Sequence, residues 1–191
     1  RLQHEVFALF LRNAHRQHLI EQPPDLFVIF DADGDEEMSN VSCIIPGVTG
    51  STGMETAEVI KKAAEIVKPD VVIVIDSLAA RDIDRVSTTI QLTDTGIQPG
   101  SGMGNHRAGI NEENIGVPVL AIGVPTVIDI KTILRDALEE NLDSAEAVEK
   151  YLSDYDRQMI VTSTDIDILV KDFSDIIADG INKTLHPGIY S

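Results

Sequence analysis

The chemistry in this chain gathers around Asp76. It stands at the end of Val71-Val72-Ile73-Val74-Ile75, an unbroken β-branched run of the kind that forms a strand buried on both faces. In open α/β sheets, ligands sit in the crevice beyond the carboxyl ends of the strands. Burial there penalises the charged carboxylate and raises its pKa, which suits an acid or a base. The same residue could instead cap the turn Ser77-Leu78-Ala79-Ala80-Arg81, and position alone leaves both readings open.

Two glycine-rich segments flank this run. The first, Pro46-Gly47-Val48-Thr49-Gly50-Ser51-Thr52-Gly53, follows an apolar stretch and opens a helix. It lacks the Lys-Ser/Thr of a P-loop and the G-x-G-x-x-G spacing, so no nucleotide cofactor is expected. Its glycines permit a tight turn and a close backbone approach, and a peptide substrate would fit there as well as a phosphate. The second is the long loop from Asp94 to Asn105, with Gly96, Gly100, Gly102 and Gly104. Loops of this length are often functional. Asp94-Thr95-Gly96 spells the tripeptide of pepsin-like aspartic proteases, but the surrounding α/β pattern contradicts an all-β fold. The acidic run Asp31-Ala32-Asp33-Gly34-Asp35-Glu36-Glu37 starts like a calcium loop. Its glycine comes too early and Ser42 stands where the closing Glu belongs, so it reads as a solvated acidic turn. His15 and His18 share a helix face without a carboxylate at matching spacing, which reads as a solvated basic face rather than a metal site. The single cysteine, Cys43, lies in the apolar run Val41 to Ile45, where a thiol is normally an inert core residue.

The elements that must position these groups alternate between strand and helix. A helix is expected over residues 2–21, with Leu2, Val6, Leu9, Phe10 and Leu11 apolar and Pro23-Pro24 ending it. Leu26 to Phe30, Val41 to Ile45, Val71 to Ile75, Thr88 to Leu92 and Val117 to Ile122 read as strands. A helix from Met54 to Val67 carries Val59, Ile60, Ala63, Ala64 and Val67 on one face, opened by a Thr52–Glu55 capping box. Further helices are expected over residues 130–140 and 144–155. A final one runs from Ser163 to Leu185, with Ile166, Leu169, Val170, Phe173, Ile176, Ile177 and Ile181 as its stripe. This order predicts a single α/β domain over residues 1–191, three-layer α/β/α with a mostly parallel sheet.

Composition narrows the partners. The 191 residues are 43% hydrophobic, enough for a packed core. A formal net charge of -17 and a pI near 4.4 repel nucleic acid and anionic membranes, and would attract a basic substrate. Acidity also serves solubility alone. One cysteine allows no intrachain disulfide, which suits a reducing, cytoplasmic compartment. No apolar run approaches membrane-spanning length. Arg1 is not an initiator Met, so a trimmed chain with a segment missing upstream is expected.

Several ordered motifs resemble the spore germination protease family. They are Pro46-Gly47-Val48-Thr49-Gly50-Ser51-Thr52-Gly53-Met54-Glu55-Thr56, Ile75-Asp76-Ser77-Leu78-Ala79-Ala80-Arg81 and the run from Thr89 to Asn105. Gly116-Val117-Pro118-Val119, the run Ala121 to Asp129 and Met159-Ile160-Val161-Thr162 continue the likeness. The resemblance is close over residues 41–130 and looser over residues 157–186. It implies an atypical aspartic endopeptidase, with a fold similar to hydrogenase maturation endopeptidases, that degrades small acid-soluble spore proteins in the spore core. It also implies a zymogen matured by loss of a propeptide, assembly as a homo-tetramer, DNA-binding proteins as substrates and no direct contact with DNA.

The family uses a pair of aspartates, and one carries over to Asp76. The other lies in a Pro-Asp-Ala-Leu-Gly-Pro-like segment that residues 1–45 do not contain. That segment was lost upstream, was replaced, or is absent from a silent homologue that acts as a binding or assembly protein. Asp31 and Asp33 end a strand of their own and are the candidate replacements. Gly50, Gly53, Asp94, Gly96, Gly100 and Gly102 would hold substrate backbone. A metal-assisted maturation-type peptidase, with Asp76 as a ligand, is the remaining alternative.

Overall fold

The computed structural model describes residues 7–12, 27–29, 40–46, 54–101, 107–139, 150, 152 and 159–187. Asp31, Asp33, Gly50, Gly53, Gly102, His15 and His18 lie outside the described residues, as does most of the helix expected over 144–155.

A seven-stranded sheet forms the middle layer. Its strands are β1 (Phe7–Arg12), β2 (Phe27–Ile29), β3 (Asn40–Ile44), β4 (Val71–Ala80), β5 (Gln91–Thr93), β6 (Val119–Asp129) and β7 (Ile160–Val161). They lie in the order β2-β3-β1-β4-β6-β5, with β7 also pairing with β6. The helices are α1 (Thr56–Val67), the short α2 (Glu112–Ile115), α3 (Ile130–Glu139) and α4 (Ile166–Leu185). On one face Ala57, Ile60, Ala64 and Val67 of α1 pack with Ala8, Phe10, Val72, Val74 and Val119. On the other, Ile177, Ile181 and Leu185 of α4 meet Leu9, Ile73 and Ile122. The expected α/β class and three layers are therefore present.

Within that class the sheet is mixed rather than mostly parallel. β4 and β6 are parallel, from Val72↔Val119 to Ala80↔Ile128, and every other described pairing is antiparallel. The difference traces to β1. Residues 7–12 are a strand, not part of a helix. Ala8 and Phe10 are buried under α1 while Leu9 is buried under α4, so successive side chains face opposite layers. A run apolar on both sides fits the inside of a sheet as readily as a helix, and the slot between β3 and β4 takes it. The α1 crossover joins β3 to the parallel β4 and skips that slot.

β4 and β6 both outrun their expected lengths. Pro125 lacks a backbone N–H and would break a regular ladder. The register shifts between Leu78 and Ala79, from Pro125 to Val127, and this bulge absorbs the proline. The Pro125 carbonyl remains useful, accepting from Ser87 N at 2.6 Å. In α1 Glu55 itself takes the N-cap position and makes no side-chain cap bond, while Thr52, the other member of the expected capping box, lies outside the described residues. The helix closes on Lys68, at φ 52, whose N–H donates to Ala64 O at 2.8 Å. The α4 stripe is narrower than expected, since Val170 and Ile176 are exposed. Among the described residues no helix is long and apolar enough to cross a membrane.

Cys43 is half-buried, packed against the α4-side core, and burial pushes its thiol up to about 11. Thiolate is the reactive form. Alkylation of the native chain by iodoacetamide at pH 8 should therefore run about a hundredfold slower than in urea. Equal rates in the two states would show that Cys43 is not shielded.

Candidate functional site

Asp76 lies toward the carboxyl end of β4. The described β1–β4 pairs run to Phe7↔Ile75, and β4 continues alongside β6 through Asp76↔Gly123. Asp76 thus has Gly123 as its neighbour on β6. Alternation puts its side chain on the α1 face, in line with Val72 and Val74. β3 and β4 run the same way, so α1 also begins at this end of the sheet.

Only 6% of Asp76 is exposed. Burial raises its carboxyl to about 6; the Ser77 N–H and the Arg107 charge pull the other way. Ser77 N donates to Oδ1 at 2.8 Å. The result is a carboxyl that holds its proton into the mildly acidic range and exchanges it near neutrality. Such a group can donate a proton or remove one. The expected turn after Asp76 is not formed, because residues 77–80 continue β4, so Asp76 does not serve as a turn cap. Among the described residues the hydrogen bond found at its carboxyl is the one from Ser77 N.

Gly123 leaves a gap beside Asp76, and Leu78 fills it. A Cβ at Gly123 would overlap Leu78 Cδ1 and lie 2.8 Å from Leu78 Cγ. On the opposite face, Ser77 Oγ and Thr126 Oγ1 are hydrogen-bonded. Thr162 Oγ1 donates to Thr126 O at 2.7 Å. These bonds fasten the end of β4 to the β6 bulge and to the segment after β7, which fixes the backbone that carries Asp76.

The loop after β5 folds back on itself. Ile97 and Ile110 form a bridge, with N···O distances of 2.9 and 2.7 Å. Gly96 (φ +83) lies against the Ile110 carbonyl, and its Cβ position is 2.7 Å from Asn111 Cα. Gly100 (φ +73) makes the next turn. Gln98 Nε2 donates to Arg107 O at 3.3 Å. The described parts of the loop, 94–101 and 107–111, thus hold each other, and the returning part carries Arg107. Asp94 is exposed beyond Thr93, which pairs with Ala121, whereas Gln91 is the β5 residue level with Gly123 and Asp76. The structure therefore sets Asp94 back from Asp76 and does not bring the two together.

Two groups escaped the sequence reading. Arg107 acts on Asp76 through charge, and nothing in its local sequence announces this. Glu55, at the start of α1, has a buried Oε1 with no hydrogen-bond partner. The motif in which it stands was noticed, but its carboxylate was assigned to capping. Among the described residues no three His, Cys, Asp or Glu side chains are grouped to hold a metal ion.

Comparison with known proteins places this arrangement. The sequence model of a family described as Germination protease matches residues 19–145. A protein named Germination protease from Caldanaerobacter subterraneus subsp. tengcongensis is 44% identical over 196 residues, covering 91% of this chain and 58% of that one. The protein of that name from Clostridium perfringens (strain SM101 / Type A) is 41% identical over the same shares. One from Halalkalibacterium halodurans is 33% identical, covering 86% of this chain and 59% of its own length. The chain spans little more than half the length of these relatives.

Proposed function

Since this chain belongs to the germination protease family, we propose that it is the peptidase part of an endopeptidase and that Asp76 carries the reaction. The observation that supports this most is the 6% exposed carboxyl at the carboxyl end of β4, pushed up to about 6 by burial. Peptide hydrolysis by paired carboxylates needs one group protonated and one ionised. The protonated group polarises the scissile carbonyl, and the ionised one takes a proton from the attacking water. Asp76 is tuned to take part in such a pair. Its partner is to be sought in Asp31 and Asp33, or in Glu55, whose buried Oε1 lacks a hydrogen-bond partner.

Small acid-soluble spore proteins are the proposed substrates. The family resemblance supports this, and the formal net charge of -17 suits basic, DNA-binding proteins as cargo without contact with DNA itself. Spore-core location, zymogen maturation and tetramer assembly follow from the same resemblance.

The test is cleavage of a purified small acid-soluble spore protein, read by mass spectrometry. Discrete internal cuts are expected, with the rate falling as sodium chloride screens the attraction. An intact substrate after prolonged incubation with the folded chain would overturn the proposal.

A further inference from the structure

Leu78 and Gly123 serve no purpose that the reaction itself demands, yet they pack against each other beside Asp76. Asp76 and Gly123 are register partners on neighbouring parallel strands, which lie about 5 Å apart. Their side chains would stand next to each other on the α1 face. At 123 there is no side chain, and Leu78 leans back into the vacancy. Its Cδ1 overlaps the place of a Cβ at 123, with Cγ 2.8 Å and Cδ2 3.4 Å from that point. Leu78 is two residues past Asp76 on the same strand and points to the same face. An isobutyl group therefore occupies the position directly beside the carboxyl, where water would otherwise sit.

We propose that Leu78, folded over Gly123, is the apolar cover that keeps water from Asp76, and so a positioning residue of the site. This rests on the reading of Asp76 as the reacting carboxyl. The cover works because a carboxylate loses hydration energy against hydrocarbon while a carboxylic acid does not. On its own strand the Ser77 N–H favours the ionised form, as does Arg107 from the returning arm of the loop. A carboxylate on Glu55 or the exposed Glu58, which α1 brings to the same end of the sheet, would act in the same direction as the cover, while β6 places only a glycine in register with Asp76. Burial is the largest influence holding the proton on Asp76, and Leu78 is the side chain laid beside it.

An alanine at position 123 would push Leu78 out of the gap. Leu78→Ala would open the gap directly, and Leu78→Met would refill it with a flexible apolar chain.

The experiment titrates Asp76 in the folded chain by infrared difference spectroscopy of its carboxyl, with Asp76→Asn as the blank. In parallel, the pH profile of spore-protein cleavage is recorded. In Leu78→Ala the carboxyl midpoint should fall from about 6 toward the ordinary range, about 4. Leu78→Met should restore it. Leu78→Val, which removes the carbons overlying Gly123 but keeps most of the bulk, should give a smaller fall and serves if Leu78→Ala does not fold. The pH profile should move with the midpoint. An unchanged midpoint in a folded Leu78→Ala or Leu78→Val chain overturns the cover. A midpoint that falls while the pH profile stays fixed upholds the cover and overturns Asp76 as the reacting group.

Discussion

Asp76→Asn should abolish cleavage and stabilise the protein at the same time. Loss of an acid or base from a hydrolytic pair removes about a thousandfold or more in rate. The stability change has the opposite sign, and linkage gives its pH window. The folded carboxyl titrates near 6 and the ordinary value is 3.8. Below 3.8 both states hold the proton and the site costs nothing. Between the two values the folded state holds a proton that the unfolded chain releases, so stability falls as pH rises. Above 6 the full penalty applies, on the order of 2–3 kcal/mol. Asparagine cannot ionise and escapes it. Urea titrations should therefore show Asp76→Asn more stable than the parent at pH 8 and nearly equal to it at pH 4. A variant that loses activity with no pH-dependent gain in stability would mean that Asp76 is not strained by burial. One that keeps activity would remove Asp76 from the chemistry.

Gly96→Ala should cost the loop after β5 much of its stability. Two costs combine. At φ +83 an L side chain is strained against its own backbone. The added Cβ would also overlap the Ile110 carbonyl and approach Asn111 Cα to 2.7 Å, and backbone atoms cannot rotate away as a side chain can. Relief means breaking the Ile97–Ile110 bridge, which closes the loop and holds the arm carrying Arg107. The expected loss is about 2–4 kcal/mol, or a fall in Tm of roughly 5–15 °C for a chain of this size. Thermal melts followed by circular dichroism would measure it. A Tm within a degree or so of the parent's would show that the loop can open without loss. Gly116→Ala makes a useful contrast. Its φ is +89 but nothing lies within 4 Å of its Cβ position, so only the backbone strain should appear.

Much of the fold was legible because its centre is built from uninterrupted apolar runs. Val71 to Ile75 and Val117 to Ile122 bury residues on both faces, Val72 to Val74 in β4 and Val119, Ala121 and Ile122 in β6, although Leu120 is exposed. No other element accommodates such runs so well at that length. The same rule failed at residues 7–12. There an apolar run preceded by Leu2 and Val6 satisfies the helical spacing as well, and only the open slot between β3 and β4 decides the matter. The bulge at Pro125 was equally hidden, because a proline argues against a strand unless its partner slips by one residue. Asp76 was found because a strand end is a local feature. Arg107 was missed because its relation to Asp76 depends on how the loop from 94 onward closes, a contact between distant parts of the chain. Leu78 was read as one member of a turn, and only the register with Gly123 gives it a neighbour.

The crossover that skips a strand position bears on how the chain is assembled and processed. β1 joins β2 and β3 to β4 and β6, yet it is contributed by the first described segment of the chain. Its partners lie at residues 40–44 and 71–75, so the middle of the sheet closes through contacts distant in sequence. Such closure is slow, since the loop entropy is lost before the pairing is gained. It also bounds any proteolytic processing. A proteolytic cut inside residues 7–12 would leave two half-sheets with newly exposed edges, which invite aggregation. Any activating cleavage compatible with this fold must spare that strand.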